Sequence, residues 1–211
     1  FLPLTFVGYF LLARNDYRHS ATWLALMSVA FYGYWNIAYV PLLLASIVFN
    51  FAVGGAIARA AERNEVRRAR WLLASGVTAD LLLLGYFKYA GFLVANLDAV
   101  GAHYTVPQIV LPLGISFFTF TQIAFLVDAA RGLAREYSFS HYTLFVSYFP
   151  HLIAGPILHH KEMIPQFRDP RNYRFDATNF SRGLTYFALG LFKKVVLADG
   201  IARFVAPGFD M

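Results

Sequence analysis

The chain has 211 residues, 58% of them apolar and 14% charged, against roughly 45–50% and about 25% in ordinary globular proteins. A soluble fold has no interior large enough for that apolar surface, and the net charge of +6 sits in short turns between apolar runs rather than on a polar face that could grip nucleic acid. The absence of cysteine excludes disulfide frameworks, thiolate zinc sites and Cys nucleophiles.

A helix needs about 20 apolar residues to span hydrocarbon. The first run, residues 1–13, opens on Phe1 with no basic stretch or cleavage site before it, and the sequence stops abruptly at Met211. The chain is therefore expected to be a piece of a longer membrane protein, cut within a transmembrane helix. Runs at 21–39, 41–58, 71–95 and 109–128 follow, then a shorter one at 142–158 and a mixed one at 180–205. The expected fold class is all-α, a polytopic transmembrane helical protein whose residues 1–211 form a single partial membrane domain. The 22 Phe and 13 Tyr suit helices that carry rings at headgroup level.

Arginine distribution orients these runs. Arg14 and Arg18 follow the first; Arg59, Arg63, Arg67, Arg68 and Arg70 lie two spans later, and Arg131 and Arg135 after the fifth. These turns should be cytoplasmic, whereas the turns near residues 34–41 and 96–108 hold no Lys or Arg. One further crossing by 142–158 would place Lys161, Arg168, Arg171, Arg174 and Arg182 outside, against the rule. Pro150 and the Gly155-Pro156 pair break a helix there, so a re-entrant or broken helical segment around residues 142–158 is expected beside a cavity.

Polar side chains inside the runs mark candidate chemistry. Asp80 stands mid-span, where an acid costs roughly 2.5–3.5 kcal/mol, and structural pairing explains it best. Lys88, among Tyr86, Phe87 and Tyr89, can snorkel to headgroups. Ser116, Thr119, Gln122 and Asp128 recur at helical spacing, and Gln122 and Asp128 fit either a polar tunnel wall or helix packing. His151 lies deep beside the expected break, where packing or hydrogen bonding precedes proton transfer as its role. Adjacent His159 and His160 point about 100° apart on a helix and do not form a metal pair; they read as polar interfacial anchors, and no metal site is expected. Lys193 and Lys194 either mark the cytoplasmic interface or hold an anionic ligand such as a phosphate or thioester carrier. Walker, dinucleotide and nucleophile-elbow patterns are absent.

Four segments, "LLLGYFKYAGF", "LPLGISFFTFTQIAFLVDAARG", "YFPHLIAGPILHHKEMIPQF" and "GLFKKVVLADGIA", resemble in this order the membrane-bound O-acyltransferase family, in its bacterial branch of alginate O-acetylation and D-alanyl-lipoteichoic-acid transfer proteins. The resemblance implies a multi-pass enzyme of the bacterial inner (plasma) membrane. It would carry an acetyl group from a cytoplasmic thioester donor, acetyl-CoA, through a tunnel to an extracytoplasmic polysaccharide such as alginate, with a periplasmic acetyltransferase or polysaccharide-synthesis partner. The family's catalytic histidine follows a tryptophan; Trp23, Trp35 and Trp71 are not followed by His. No catalytic residue is therefore expected in this chain, which alone would be inactive, and Gln122, Asp128, His151, Lys193 and Lys194 are candidates for tunnel wall or donor side. D-alanyl transfer to a cell-envelope polymer, a secondary transporter with paired repeats, and a purely structural subunit are the alternatives.

Overall fold

The computed structural model describes residues 1–14, 16–98, 110–134, 138–153, 155 and 160–202. Arg135, Pro156, His159, residue 109 and residues 203–205 lie outside them. Among the described residues every regular element is helical, as expected, and the chain divides into two compact units, residues 1–173 and 174–211.

The first unit begins with α1 (Leu2–Ala13) and α2 (Tyr17–Trp35). Asp16 caps α2 by accepting the Arg18 amide at 2.9 Å, and Asn36 ends it, its side chain accepting the Ala38 amide at 3.0 Å to start a 3-10 turn. The helix therefore stops four residues short of the end of the apolar run at 21–39, because Asn36 offers the backbone a local alternative. Next come α3 (Val40–Glu62) and α4 (Val66–Asp98), joined by a tight turn at Asn64, whose φ is 56°. At 1.5 Å per residue they are about 35 and 50 Å long. Segments Ile37–Glu62 and Val66–Val94 are long and apolar enough to cross a membrane.

The fifth helix, α5 (Ile115–Ala130), starts later than the apolar run at 109–128. Pro112 and Gly114 form a turn in which the Pro112 carbonyl accepts the Ile115 amide, and Gly114 adopts a φ of 66°. Apolar composition alone does not separate Leu111-Pro112-Leu113 from the helix behind it. Helix α3 runs parallel to α5, because Tyr39 donates to the Val110 carbonyl (2.7 Å) near their starts and Ser46 meets Gln122 further on. Helix α4 packs antiparallel against both, with Gly76 beside Val53 and Leu126.

The chain then breaks up. Helix α6 (Phe139–Ser147), capped by Ser138, ends at Tyr148 (ψ 105°), and α7 (Phe149–Leu152) restarts with Pro150 in its first turn. Neither could span hydrocarbon. Helix α6 starts beside the start of α2, where Thr22 donates to Ser140. Phe149 then reaches Phe1 and Phe31, and Leu152 reaches Gly114 at the opposite end of the unit. Helix α8 (His160–Arg168) returns: Phe167 stands near His141, and Tyr173 stacks on Tyr9 in the last turns of α1. The turns that hold Arg14 and Arg18, Arg63 to Arg68, and Arg131 gather at the end from which α6 enters. Beyond α8, Arg171 donates to Asp169 from its guanidinium and backbone amide (2.8–3.1 Å), and this holds the Asp169 carboxyl below the usual carboxylate range.

In the second unit Asp176 caps α9 (Ala177–Phe192) by accepting the Asn179 amide at 2.8 Å. A π-helical turn over Lys193–Ala198 follows.

Close helix approach in the first unit depends on Gly54. A Cβ there would lie 2.3 Å from Cε1 of Phe125, a buried ring held between Tyr142 and His160 at 4.6 and 5.1 Å. Gly54→Ala is expected to cost about 1–3 kcal/mol as an overpacked contact. The check is the apparent unfolding midpoint in detergent, followed by tryptophan fluorescence and expected to fall by roughly 2–4 °C per kcal/mol.

Candidate functional site

The polar groups of the apolar helices meet in one buried seam. On α3 the inward face repeats as Leu43, Ser46, Ile47, Asn50, Gly54 and Ile57, a helical stripe with two polar members one turn apart. On α4 the buried positions near mid-helix are Gly76, Asp80 and Leu84, each four residues from the last, while Trp71, Leu82 and Tyr86 face outward. Thus Asp80 lies on the single narrow stripe that this helix turns inward. From α5 the face with Phe118, Thr119, Gln122, Phe125 and Leu126 completes the seam.

Two hydrogen bonds tie these helices together, and a third lies within α3. Asn50 Nδ2 donates to Asp80 Oδ1 at 2.8 Å and to the Ser46 carbonyl at 3.1 Å, and Gln122 Nε2 donates to Ser46 Oγ at 2.8 Å. Asp80 therefore has the structural partner its position demands. The seam is enclosed: Asn50 and Gln122 are 0% exposed, Thr119 1% and Asp80 3%. Tyr142 from α6 closes it, packed on Phe51 and Phe125.

Of the five candidates read from the sequence, only Gln122 belongs to this seam. Asp128 lies nearer the α5 end that carries Arg131; its carbonyl accepts the amides of Leu133 and Ala134 and so closes the turn after the helix. His151 is buried on α7 with its ring 5.6 Å from that of Tyr148, and its carbonyl accepts the Gly155 amide at 2.9 Å. No described contact joins it to Asp80 or Gln122. Lys193 and Lys194 belong to the second unit, where Lys194 pairs with Asp199 across the π-helical turn. His160, expected as an interfacial anchor, is instead buried between Phe125 and Phe145. Ser46 and Asn50 are not among the candidates, although their i, i+4 spacing inside "LLLASIVFNF" is a readable signal.

A separate apolar cavity of about 350 Å³ lies between α1, the α6–α7 break and residues 166–173. Phe149 and Pro150 line it, next to His151, but none of the five candidates does. Its wall is mostly aromatic and aliphatic, with Thr5, Gln166 and Asn172 as polar members, and suits hydrocarbon better than acid–base chemistry.

The membrane-bound O-acyltransferase family model matches residues 115–211. Peptidoglycan O-acetyltransferase of Helicobacter pylori is 43% identical over 239 residues, which covers 100% of this chain and 45% of that protein. Probable alginate O-acetylase AlgI of Azotobacter vinelandii is 39% identical and that of Pseudomonas aeruginosa 38%, each over 96% of this chain and 40% and 38% of the relative. The chain thus spans less than half the length of these curated relatives. No solved structure matches it.

Proposed function

The chain belongs to the membrane-bound O-acyltransferase family, and from that premise we propose that it is part of a multi-pass inner-membrane enzyme that O-acetylates an extracytoplasmic glycan. Acetyl-CoA on the cytoplasmic side is the proposed donor, and the acyl group passes through the membrane domain toward the acceptor hydroxyl. The observation that carries the reading is similarity along 96–100% of the chain to proteins named for O-acetylation of peptidoglycan and alginate.

Physical features of the first unit support a membrane setting. The arginine-bearing turns gather at one end, which the positive-inside rule makes cytoplasmic. The α6–α7–α8 stretch enters from that end and returns to it, which suits a re-entrant segment; irregular backbone at membrane depth needs burial by protein or a watery cavity, and His151 and Leu152 are buried. A hydroxyl attacking a thioester needs a general base. That role is assigned to a Trp-His histidine elsewhere in the full protein, with Gln122, Asp128 and His151 in the wall and Lys193 and Lys194 toward the anionic donor. A periplasmic acetyltransferase or polysaccharide-synthesis protein is the proposed partner.

The test is deletion and complementation of the gene in its host, with alkali-labile acetyl esters measured separately on peptidoglycan and exopolysaccharide. Loss from one polymer identifies the acceptor; unchanged esters on both overturn the reading.

A further inference from the structure

The cavity beside the α6–α7 break is graded in polarity along the axis of α1. At one end Tyr9 stacks on Tyr173 at 5.3 Å and donates to the Asn172 carbonyl at 3.2 Å, while Asn172 Nδ2 donates to the Gln166 carbonyl at 2.8 Å. Seven residues back along α1, about 10 Å at 1.5 Å per residue, Leu2 lines the other end with Phe149 and Pro150. Phe149 packs there on Phe1 and Phe31, with ring centroids 5.3 and 5.4 Å apart, so an aromatic cluster backs this end. The lining carries no charged side chain; charge is confined to the mouth. Arg14 follows α1, the Ser20 hydroxyl donates to the Tyr9 carbonyl at 2.8 Å and so brings Arg18 alongside, and Arg168 and Arg171 flank Gln166 and Asn172. These four arginines outnumber the two aspartates among them, Asp16 and Asp169.

We propose that the cavity holds one acyl chain of an anionic phospholipid from the cytoplasmic leaflet, with the phosphate at the four arginines. A phospholipid has its parts in the same order as the cavity: hydrocarbon against Phe6, Leu24, Leu144 and Phe149, ester oxygens at the exposed amides of Gln166 and Asn172, then a negative charge. Basic pockets between helices on the cytoplasmic side select such headgroups. The cavity is too narrow for a protein helix. About 350 Å³ spread over about 10 Å leaves a cross-section of roughly 35 Å², against about 80 Å² for a helix 10 Å across. An extended segment would bring backbone N–H and C=O groups that the apolar end cannot satisfy, whereas an acyl chain brings none. The inference rests on the membrane orientation proposed above, in which the arginine-bearing end is cytoplasmic, and not on acetyl transfer.

The test uses the full protein, purified in detergent and mixed with phosphatidylglycerol or zwitterionic phosphatidylethanolamine, with retained lipid counted by native mass spectrometry. One phosphatidylglycerol per chain is expected to survive washing. Its preference over phosphatidylethanolamine should fall about fivefold for each arginine removed in Arg14→Gln and Arg168→Gln. Leu24→Trp fills the cavity from α2 and should hold one phosphatidylglycerol fewer than the wild type; should it not fold, Gln166→Trp at the exposed mouth serves the same purpose. Equal retention of the two lipids overturns the proposal, and so does an unchanged count in a folded Leu24→Trp or Gln166→Trp protein. A wild-type protein that keeps neither lipid overturns it too, since another part of the chain then covers the cavity. The lipid count is read without the ester assay, so a failure of acetyl transfer and a failure of lipid binding are told apart.

Discussion

Replacing Asn50 by Leu should lower the stability of the helix bundle by about 3 kcal/mol, because it strips a buried carboxylate of its donor. Asn50 Nδ2 makes the 2.8 Å bond to Asp80 and ties the same turn to the Ser46 carbonyl. Leu has the same branched outline and is larger, so no cavity opens, and the loss combines the stranded charge with some overpacking. The apparent midpoint should fall by roughly 6–12 °C. The double variant Asn50→Leu with Asp80→Leu removes the stranded charge together with its donor, and should be more stable than Asn50→Leu alone. If both variants are equally destabilised, the loss comes from packing and not from the charge.

That interaction also shows what the sequence can disclose. Asp80 is legible because an acid in the middle of an apolar run is expensive wherever it points. Its partner is not, because Asn50 lies 30 residues away and becomes a neighbour only once α3 and α4 pack antiparallel around the turn at Asn64. The break near Tyr148 is legible for a different reason: arginine bookkeeping requires residues 142–158 to return to the side they came from, and Pro150 supplies a place to turn. The start of α5 falls several residues later than the apolar run suggests, since Leu111-Pro112-Leu113 is as apolar as the helix it precedes. His160 looks interfacial beside Lys161 and Glu162, yet a helix with polar neighbours can still turn one ring inward, and here that ring enters the aromatic cluster of Phe125 and Phe145.

Gly114 joins fold and proposed chemistry most directly, and Gly114→Ala should impair both. Its φ of 66° costs an L-residue roughly 1–2 kcal/mol, and a Cβ there would lie 2.6 Å from the Leu152 carbonyl oxygen. A backbone atom cannot swing aside as a side chain would, so either α5 starts differently or the α7 turn moves. We expect a total cost of about 2–3 kcal/mol. The same displacement moves His151 and Pro150, which sit within that turn. If the turn positions the acetyl path, acetyl transfer per folded molecule should fall by about 10-fold or more, since a shift of roughly 1 Å near reacting groups is that expensive. Gly54→Ala is the matched control, because it strains the contact between α3 and α5 at Phe125 and leaves the Gly114–Leu152 contact intact. Equal activity per folded molecule in the two variants would make the α7 turn a purely structural element. A deficit confined to Gly114→Ala would mark it as a positioning element for transfer.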